Sequence, residues 1–364
     1  PARARIRRRA PVARQSADLP LRAPARGARP PVASWRLVRY RLRRVAGDGS
    51  GKWPVYFPDS VPPVVNVGPG SPTGVCFGYG TNFPSKYQNA MFICDWSYGK
   101  LYAVHIPPDG STYTGELEEF VAGTPLPLTD VVVSPTDGAL YFTIGGRRTK
   151  SGLYRVTYQG EAEVQADGVK QKGLEDRKLR RRLESLHRPI GVEAVKPALA
   201  ELGSTDRFIR YASRIALEHQ TPELWQNEVL THQDDQVALN GMLGLTRVGD
   251  PELRNRILNR LYEIEFGMLT EVQQILWLRV YGLVFMRMGE ATAEDAQEIR
   301  KRLEPQFPSV NAAINSEILK LLFSKPLEQQ CSSLMVGKSS LLGLVKNHTI
   351  ETQENQLLRT EQSR

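Results

Sequence analysis

The hydrophobic period of this chain changes once, near residue 172, and that change constrains the fold more than any other feature. From Trp53 to about Tyr158, short runs of Val, Ile, Tyr and Phe are separated by Gly, Pro, Asp and Ser, the pattern of strands. From Leu174 onward the apolar residues recur at helical spacing, as in Leu179, Leu183 and Leu186. Pro189, Pro197, Gly203, Pro222, Gly249, Pro251, Gly289 and Pro305 then punctuate a series of helices. The fold class is therefore multidomain, β then α.

Each half contains a repeat. In the first, Thr73-Gly74-Val75, Ala90-Met91-Phe92 and Leu101-Tyr102 recur as Thr129-Asp130-Val131, Ala139-Leu140-Tyr141 and Leu153-Tyr154, at offsets of 56, 49 and 52 residues. A unit of about 50 residues with several strands is the signature of a propeller blade. The expected strands are Gly74–Phe77, Ala90–Trp96, Lys100–Ile106, Glu116–Val121, Asp130–Val133, Ala139–Ile144 and Leu153–Tyr158. Tyr102, Val104 and Ile106 are expected on an apolar face, with Leu101, Ala103 and His105 on a more polar one. About two blades are present and a closed ring needs at least four, so a partial β-propeller is expected.

In the second half, Asp206 leads through Ile209 to Ser213, Ala216 and Leu217. Asp234, 28 residues on, leads through Val237 to Gly241, Gly244 and Leu245. An Asp that caps a helix, followed by small residues where a neighbour must approach, describes stacked helical hairpins, an α-solenoid. Helices are expected to continue through Glu252–Glu265, Thr270–Met288, Ala293–Leu303 and Val310–Phe323. The expected organisation is a low-complexity tail over 1–52, blades over 53–160, a polar linker over 161–171, helices over 172–323 and a weakly ordered tail over 324–364.

Charge is segregated along this plan. The whole chain carries +9, but residues 1–44 hold 14 Arg, no Lys and the single acid Asp18, which leaves the remainder at −4. The Arg-rich stretch is rich in Pro and poor in aromatic residues, so it reads as a disordered arm. The remainder lacks the basic balance of a folded nucleic-acid module, and nucleic-acid binding is disfavoured. Three cysteines in 364 residues exclude a disulfide scaffold. The most apolar stretch, Leu276–Met288, is too short to span a membrane and carries Arg279 and Arg287, so it reads as a buried helix. Residues 1–30 contain no apolar core for a secretory signal. An opening on Pro1 reads as a fragment or a disturbed gene model.

Several motifs carry a resemblance. Gly68-Pro69-Gly70-Ser71-Pro72-Thr73-Gly74, Phe92-Ile93-Cys94-Asp95-Trp96-Ser97-Tyr98-Gly99-Lys100-Leu101-Tyr102, Thr124-Pro125-Leu126-Pro127-Leu128-Thr129-Asp130 and Tyr141-Phe142-Thr143-Ile144-Gly145-Gly146-Arg147-Arg148 resemble segments of the large secreted haem-binding, sugar-dehydrogenase-like proteins of the planctomycete group. The helical stretch Asp206–His219, with Trp225, is similar to that family as well. The resemblance spans roughly residues 54–323. It implies a propeller of the glucose/sorbosone dehydrogenase type, a HEAT-like helical region and a c-type cytochrome domain, with periplasmic or extracellular location. Haem c, and in some members a quinone cofactor, is expected only in full-length relatives. Here C-x-x-C-H does not occur, since the cysteines are Cys76, Cys94 and Cys331.

The chemistry to be expected of the chain itself is sparse. No histidine pair among His105, His187, His219, His232 and His348 has the i, i+4 spacing of a zinc helix. Cys76 and Cys94 fall on adjacent strands and are expected as buried free thiols. Val336-Gly337-Lys338-Ser339 resembles the end of a phosphate loop but lacks the preceding Gly and strand. Candidate ligand-facing residues are Asp95, Trp96, Tyr98, Asp130, Arg147 and Arg148, because aromatic and charged loop residues suit a sugar or an acidic group. Blade packing is the competing role for each. The expected function is a non-catalytic scaffold that binds a protein partner through its helices, with carbohydrate as a further ligand class. The alternatives are part of a sugar or alcohol dehydrogenase, or nucleic-acid binding through the Arg-rich arm.

Overall fold

A computed structural model describes residues 4–8, 54–68, 70–146, 148–160 and 173–322. Most of the Arg-rich stretch, the 161–171 linker and the 324–364 tail lie outside the described residues. The chain forms two compact units, one of Pro1–Val55 with Pro62–Leu179 and one of Tyr56–Val61 with Arg180–Arg364. The layout is β then α, and among the described residues no helix is long and apolar enough to cross a membrane.

The first unit contains strands β1 (Ala4–Arg8), β2 (Pro72–Phe77), β3 (Met91–Asp95), β4 (Lys100–His105), β5 (Pro108–Asp109), β6 (Thr112–Tyr113), β7 (Glu116–Ala122), β8 (Leu128–Val133), β9 (Leu140–Gly146) and β10 (Thr149–Tyr158), with a short helix α1 (Ser85–Gln88). They make two four-stranded antiparallel sheets, ordered β2-β3-β4-β7 and β1-β10-β9-β8, and the small β5-β6 pair. Strands β2 and β8 adjoin, and the side chain of Thr73 donates to the Leu128 carbonyl at 2.9 Å. The seven expected strands all form, six of them within about two residues of their expected ends, while β10 starts four residues earlier than expected, at Thr149.

Phe92, Cys94, Leu101 and Ala103 share one core with Leu128, Val131, Leu140, Phe142 and Val156 of the second sheet. Met91, Ile93, Tyr102 and Val104 bury the opposite face of the first sheet against Val67. The expected polar face of β4 is thus corrected: Leu101 and Ala103 are wholly buried, because this strand is covered on both sides. A second difference lies at the start of the chain. Ala4–Arg8 pairs along the outer edge of β10, with Ala4 opposite Tyr158 and Arg8 opposite Tyr154. That edge would otherwise present a row of unpaired backbone groups, and Ala-Arg-Ile-Arg-Arg contains no Pro to prevent pairing.

The second unit is helical. The division falls inside α2 (Leu174–Ser185), and beyond it come α3 (Val192–Leu199), α4 (Arg207–Glu218), α5 (Gln226–Leu230), α6 (Asp235–Val248), α7 (Arg254–Glu263), α8 (Glu271–Arg287), α9 (Ala293–Leu303) and α10 (Ala312–Leu322). The expected caps are present: Asp206 accepts from the amides of Phe208 and Ile209, and Asp234 from those of Gln236 and Val237. Thr270 with Gln273, and Thr292 with Asp295, close capping boxes on α8 and α9. Helices α4, α6, α8 and α10 adjoin in that order. Trp225, Trp277 and Tyr281 fill the core among Leu, Ile and Val side chains.

The small residues of the helical repeat sit at contacts. A Cβ at Gly241 would fall 2.2 Å from Cγ1 of Val229 on α5, whereas one at Gly282 would meet nothing nearer than Leu321 at 4.0 Å. Gly241→Ala and Gly282→Ala therefore have opposite expected signs. The first loses about 1–3 kcal/mol to overpacking despite the better helix former, and the second gains roughly 0.5–1 kcal/mol. Urea midpoints of the two variants check this.

Candidate functional site

Helices that adjoin bring side chains together in one row, and in the second unit that row is charged and largely buried. Arg214 and Glu218 pair on α4, the Arg247 guanidinium on α6 forms an ion pair with Glu218, its Nε 3.0 Å away, and α8 adds Arg279. Lys320 and Glu317 pair on α10. Across this row lies the segment Tyr56-Phe57-Pro58-Asp59-Ser60-Val61. Asp59 receives Nη2 and Nε of Arg279 at 2.7 and 3.2 Å, a two-pronged carboxylate–guanidinium pair. The side chains of Asp59 and Arg279 are only 6% and 10% exposed. Nη1 of Arg247 stands 3.9 Å from the same carboxylate.

The aromatic residues of the segment fix its position. Phe57 is buried in the helical core, with the Arg279 guanidinium 4.3 Å from its ring centre and the Lys320 ammonium 5.6 Å away. Nη2 of Arg207 donates to the carbonyls of both Phe57 and Ser60, the latter at 2.8 Å. The Tyr56 hydroxyl donates to Glu317 at 2.7 Å. Burial, reinforced by that carboxylate, raises the phenol's pKa and keeps it a donor. Pro58 holds φ near its ring value without a backbone donor to satisfy. Chemically the site is a grip for a peptide turn: the Asp59 carboxylate and two backbone carbonyls are met by arginines, the Phe57 ring by the helix core, and the Tyr56 hydroxyl by a carboxylate.

Sequence reasoning assigned residues 53–160 to the blades and missed that Tyr56–Val61 belongs with the helices. One signal was available. Arg279 sits in the otherwise apolar Leu276–Val280 run, and a buried arginine requires a carboxylate from somewhere.

The loop residues proposed from sequence have structural partners. Asp95 is 1% exposed, and its Oδ1 accepts from the amides of Ser71, Ser97 and Tyr98. Its Oδ2 lies where any Cβ on Gly70 would collide with it, which is why glycine stands there. Trp96 donates from Nε1 to the Gly145 carbonyl at 2.8 Å and packs over Gly146, tying the β3–β4 turn to β9. Asp130 accepts from the Val131 amide, and its backbone leaves no room for a side chain at position 74. Tyr98 is exposed, as is Arg148, which has a φ of 64°. Arg147 lies outside the described residues. Asp95, Trp96 and Asp130 thus serve the packing of the two sheets.

The remaining groups are likewise held by the fold. His105 meets Glu118 at 2.6 Å, and Glu118 also accepts from Tyr87 at 2.7 Å. Burial raises the carboxyl pKa of Glu118, but hydrogen bonds from His105 and Tyr87 and the charge of Lys86 outweigh it and hold the group below its usual value. Cys76 and Cys94 are free thiols, pushed up to about 12 by burial and, secondarily, by the charge of Asp130. Thiols so placed do not fit covalent haem attachment, which needs two accessible cysteines at C-x-x-C-H spacing. Among the described residues no group of three or more His, Cys, Asp and Glu is arranged to hold a metal ion. Cys331, His348 and Val336–Ser339 lie outside the described residues. No known protein family, curated protein or solved structure matches this chain.

Two predictions follow from these contacts. Asp59→Ala, which strands a buried guanidinium, is expected to lower the stability of the helical transition by about 3–5 kcal/mol. Lys178→Ala, which removes the exposed Lys178–Glu175 pair, should cost under about 1 kcal/mol. Urea unfolding followed by circular dichroism separates the two. His187 is buried, its Nε2 lies 2.8 Å from the Ala212 carbonyl, and its ring stacks on His219 at 5.9 Å. Burial depresses its pKa below the ordinary histidine value, so the unfolded chain binds this proton more readily than the folded one. Its contribution is present above about pH 6.5 and is lost as pH falls through the lower, folded value. The melting temperature should fall between about pH 7.5 and about pH 5.5, and less so in His187→Gln.

Proposed function

We propose that the chain is a non-catalytic interaction scaffold, the propeller-and-solenoid portion of a secreted protein of the kind its motifs resemble. The single observation that carries the scaffold reading is the charged row on α4, α6, α8 and α10, which already holds a short turn segment by its side chains and carbonyls. On this reading the two meandering four-stranded sheets are successive blades. Their shared face-to-face core and the adjoining β2 and β8 support it. The opposite face of the second sheet leaves Val132 and Leu153 54% and 46% exposed. Those residues lie where a further blade would pack. The HEAT-like solenoid is supported by the 28-residue repeat, whose two Asp caps and small contact residues occupy matching places.

The competing dehydrogenase reading makes a different demand. Purified chain, incubated with haem and with a quinone cofactor, should reduce no dye with aldoses or alcohols as substrates. Turnover above the cofactor-only control would replace the scaffold with an enzyme.

A further inference from the structure

The strap Tyr56–Val61 is held by contacts that do not require it to be part of the same chain. Among the described residues no sheet ladder ties it to the helices. The grip consists of a carboxylate in the fork of Arg279, a ring beneath that same guanidinium, a phenol on Glu317, and two carbonyls on Arg207. These groups are supplied by helices α4, α8 and α10 and span the row transversely. The carboxylate and the ring next but one before it meet a single arginine, so register along the groove is fixed by the pair Phe57 and Asp59. Pro58 between them occupies the second position of a turn closed by the Ser60 amide on the Phe57 carbonyl at 3.3 Å, which brings both to the same guanidinium.

We infer that this groove is a recognition site for a turn-forming peptide of the pattern aromatic–Phe–Pro–Asp, and that the chain carries one such peptide as its own tethered occupant. The inference rests on the scaffold reading and names its partner: a protein segment with two adjacent aromatic residues, a proline and an acid. Charge complementarity selects the acid, since Arg279 and Arg247 both face Asp59. The buried position of the Phe57 ring selects the aromatic residue. A tethered occupant acts at an effective concentration in the millimolar range when its linker spans the site, so an outside segment must outcompete it or find it released.

The test uses the full chain and a fluorescein-labelled decapeptide with the sequence of residues 54–63 (Pro54 to Pro63). The strap is weakened in the chain by Phe57→Ala with Asp59→Asn, and circular dichroism verifies the helical fold. The weakened chain is expected to bind the peptide at least about tenfold more tightly than the wild-type chain, whose groove is filled. The Asp59→Asn form of the peptide should bind about tenfold more weakly than the native one, the loss expected when a charged partner of a buried arginine is removed. Equal binding of the two peptides, or no binding by a folded weakened chain, overturns the proposal. If the weakened chain does not fold, hydrogen exchange in the wild-type chain decides. Excess peptide should accelerate exchange of the amides of residues 56–61 by displacing them, and unchanged exchange overturns the proposal. Peptide-induced dimers, or dimers of the weakened chain that exchange straps, would also overturn it, because the occupant would then be a second copy. Dehydrogenase turnover has no bearing on any of these readouts, so the two readings fail separately.

Discussion

The helical unit depends on a carboxylate that none of its helices carries. Arg279 is buried in α8 among Leu276, Leu278, Val280 and the rings of its neighbours, and its charge is met by Asp59, 220 residues earlier in the chain. An ion taken from water carries a penalty of several kcal/mol unless it is paired and hydrogen-bonded. The fork geometry meets that condition, and the remaining features of the groove cluster around it. Phe57 shares the same guanidinium, Arg247 stands between Asp59 and the Glu218–Arg214 pair, and the Lys320 ammonium lies near the ring. The charges form a continuous alternating network in which removal of one member leaves the next uncompensated.

The sheet unit solves a different problem, that of covering apolar surface on two faces. Its polar loop residues act as pins: Asp95 collects three amides to close the β3–β4 turn, and Trp96 reaches β9. Close approaches at Gly70 and Gly74 allow the neighbouring Asp95 and Asp130 to occupy the places a side chain would fill. Residues that look like ligand contacts in a sequence, an aromatic beside an acid in a turn, are here the means by which one sheet is registered against the next.

Much of the fold was legible in the sequence because it is written locally. Alternation marked the strands from Met91 to Tyr158, and Asp206 and Asp234 marked the helix starts with their own side chains. The burial of Leu101 and Ala103 was not legible, because a small or apolar residue on the supposed outer face gives no sign of a second covering layer. The candidate site was misplaced for a related reason. Its residues are scattered over Tyr56, Asp59, Arg207, Arg279 and Lys320, and no period or motif links them. Arg279 announced a missing partner, but a lone arginine cannot say which of 39 acids will answer it.

The division of the chain also fixes the order of events in its folding. Tyr56–Val61 and the helices form one unit, so Pro62–Leu179 is inserted between two pieces of it, while β1 precedes both. Joining ends so far apart adds little equilibrium penalty, since each doubling of a loop costs only about 0.6 kcal/mol. It does raise contact order, which slows folding. On the ribosome Asp59 emerges long before Arg279, and the nascent segment waits, unpartnered and aromatic, until α8 has been made.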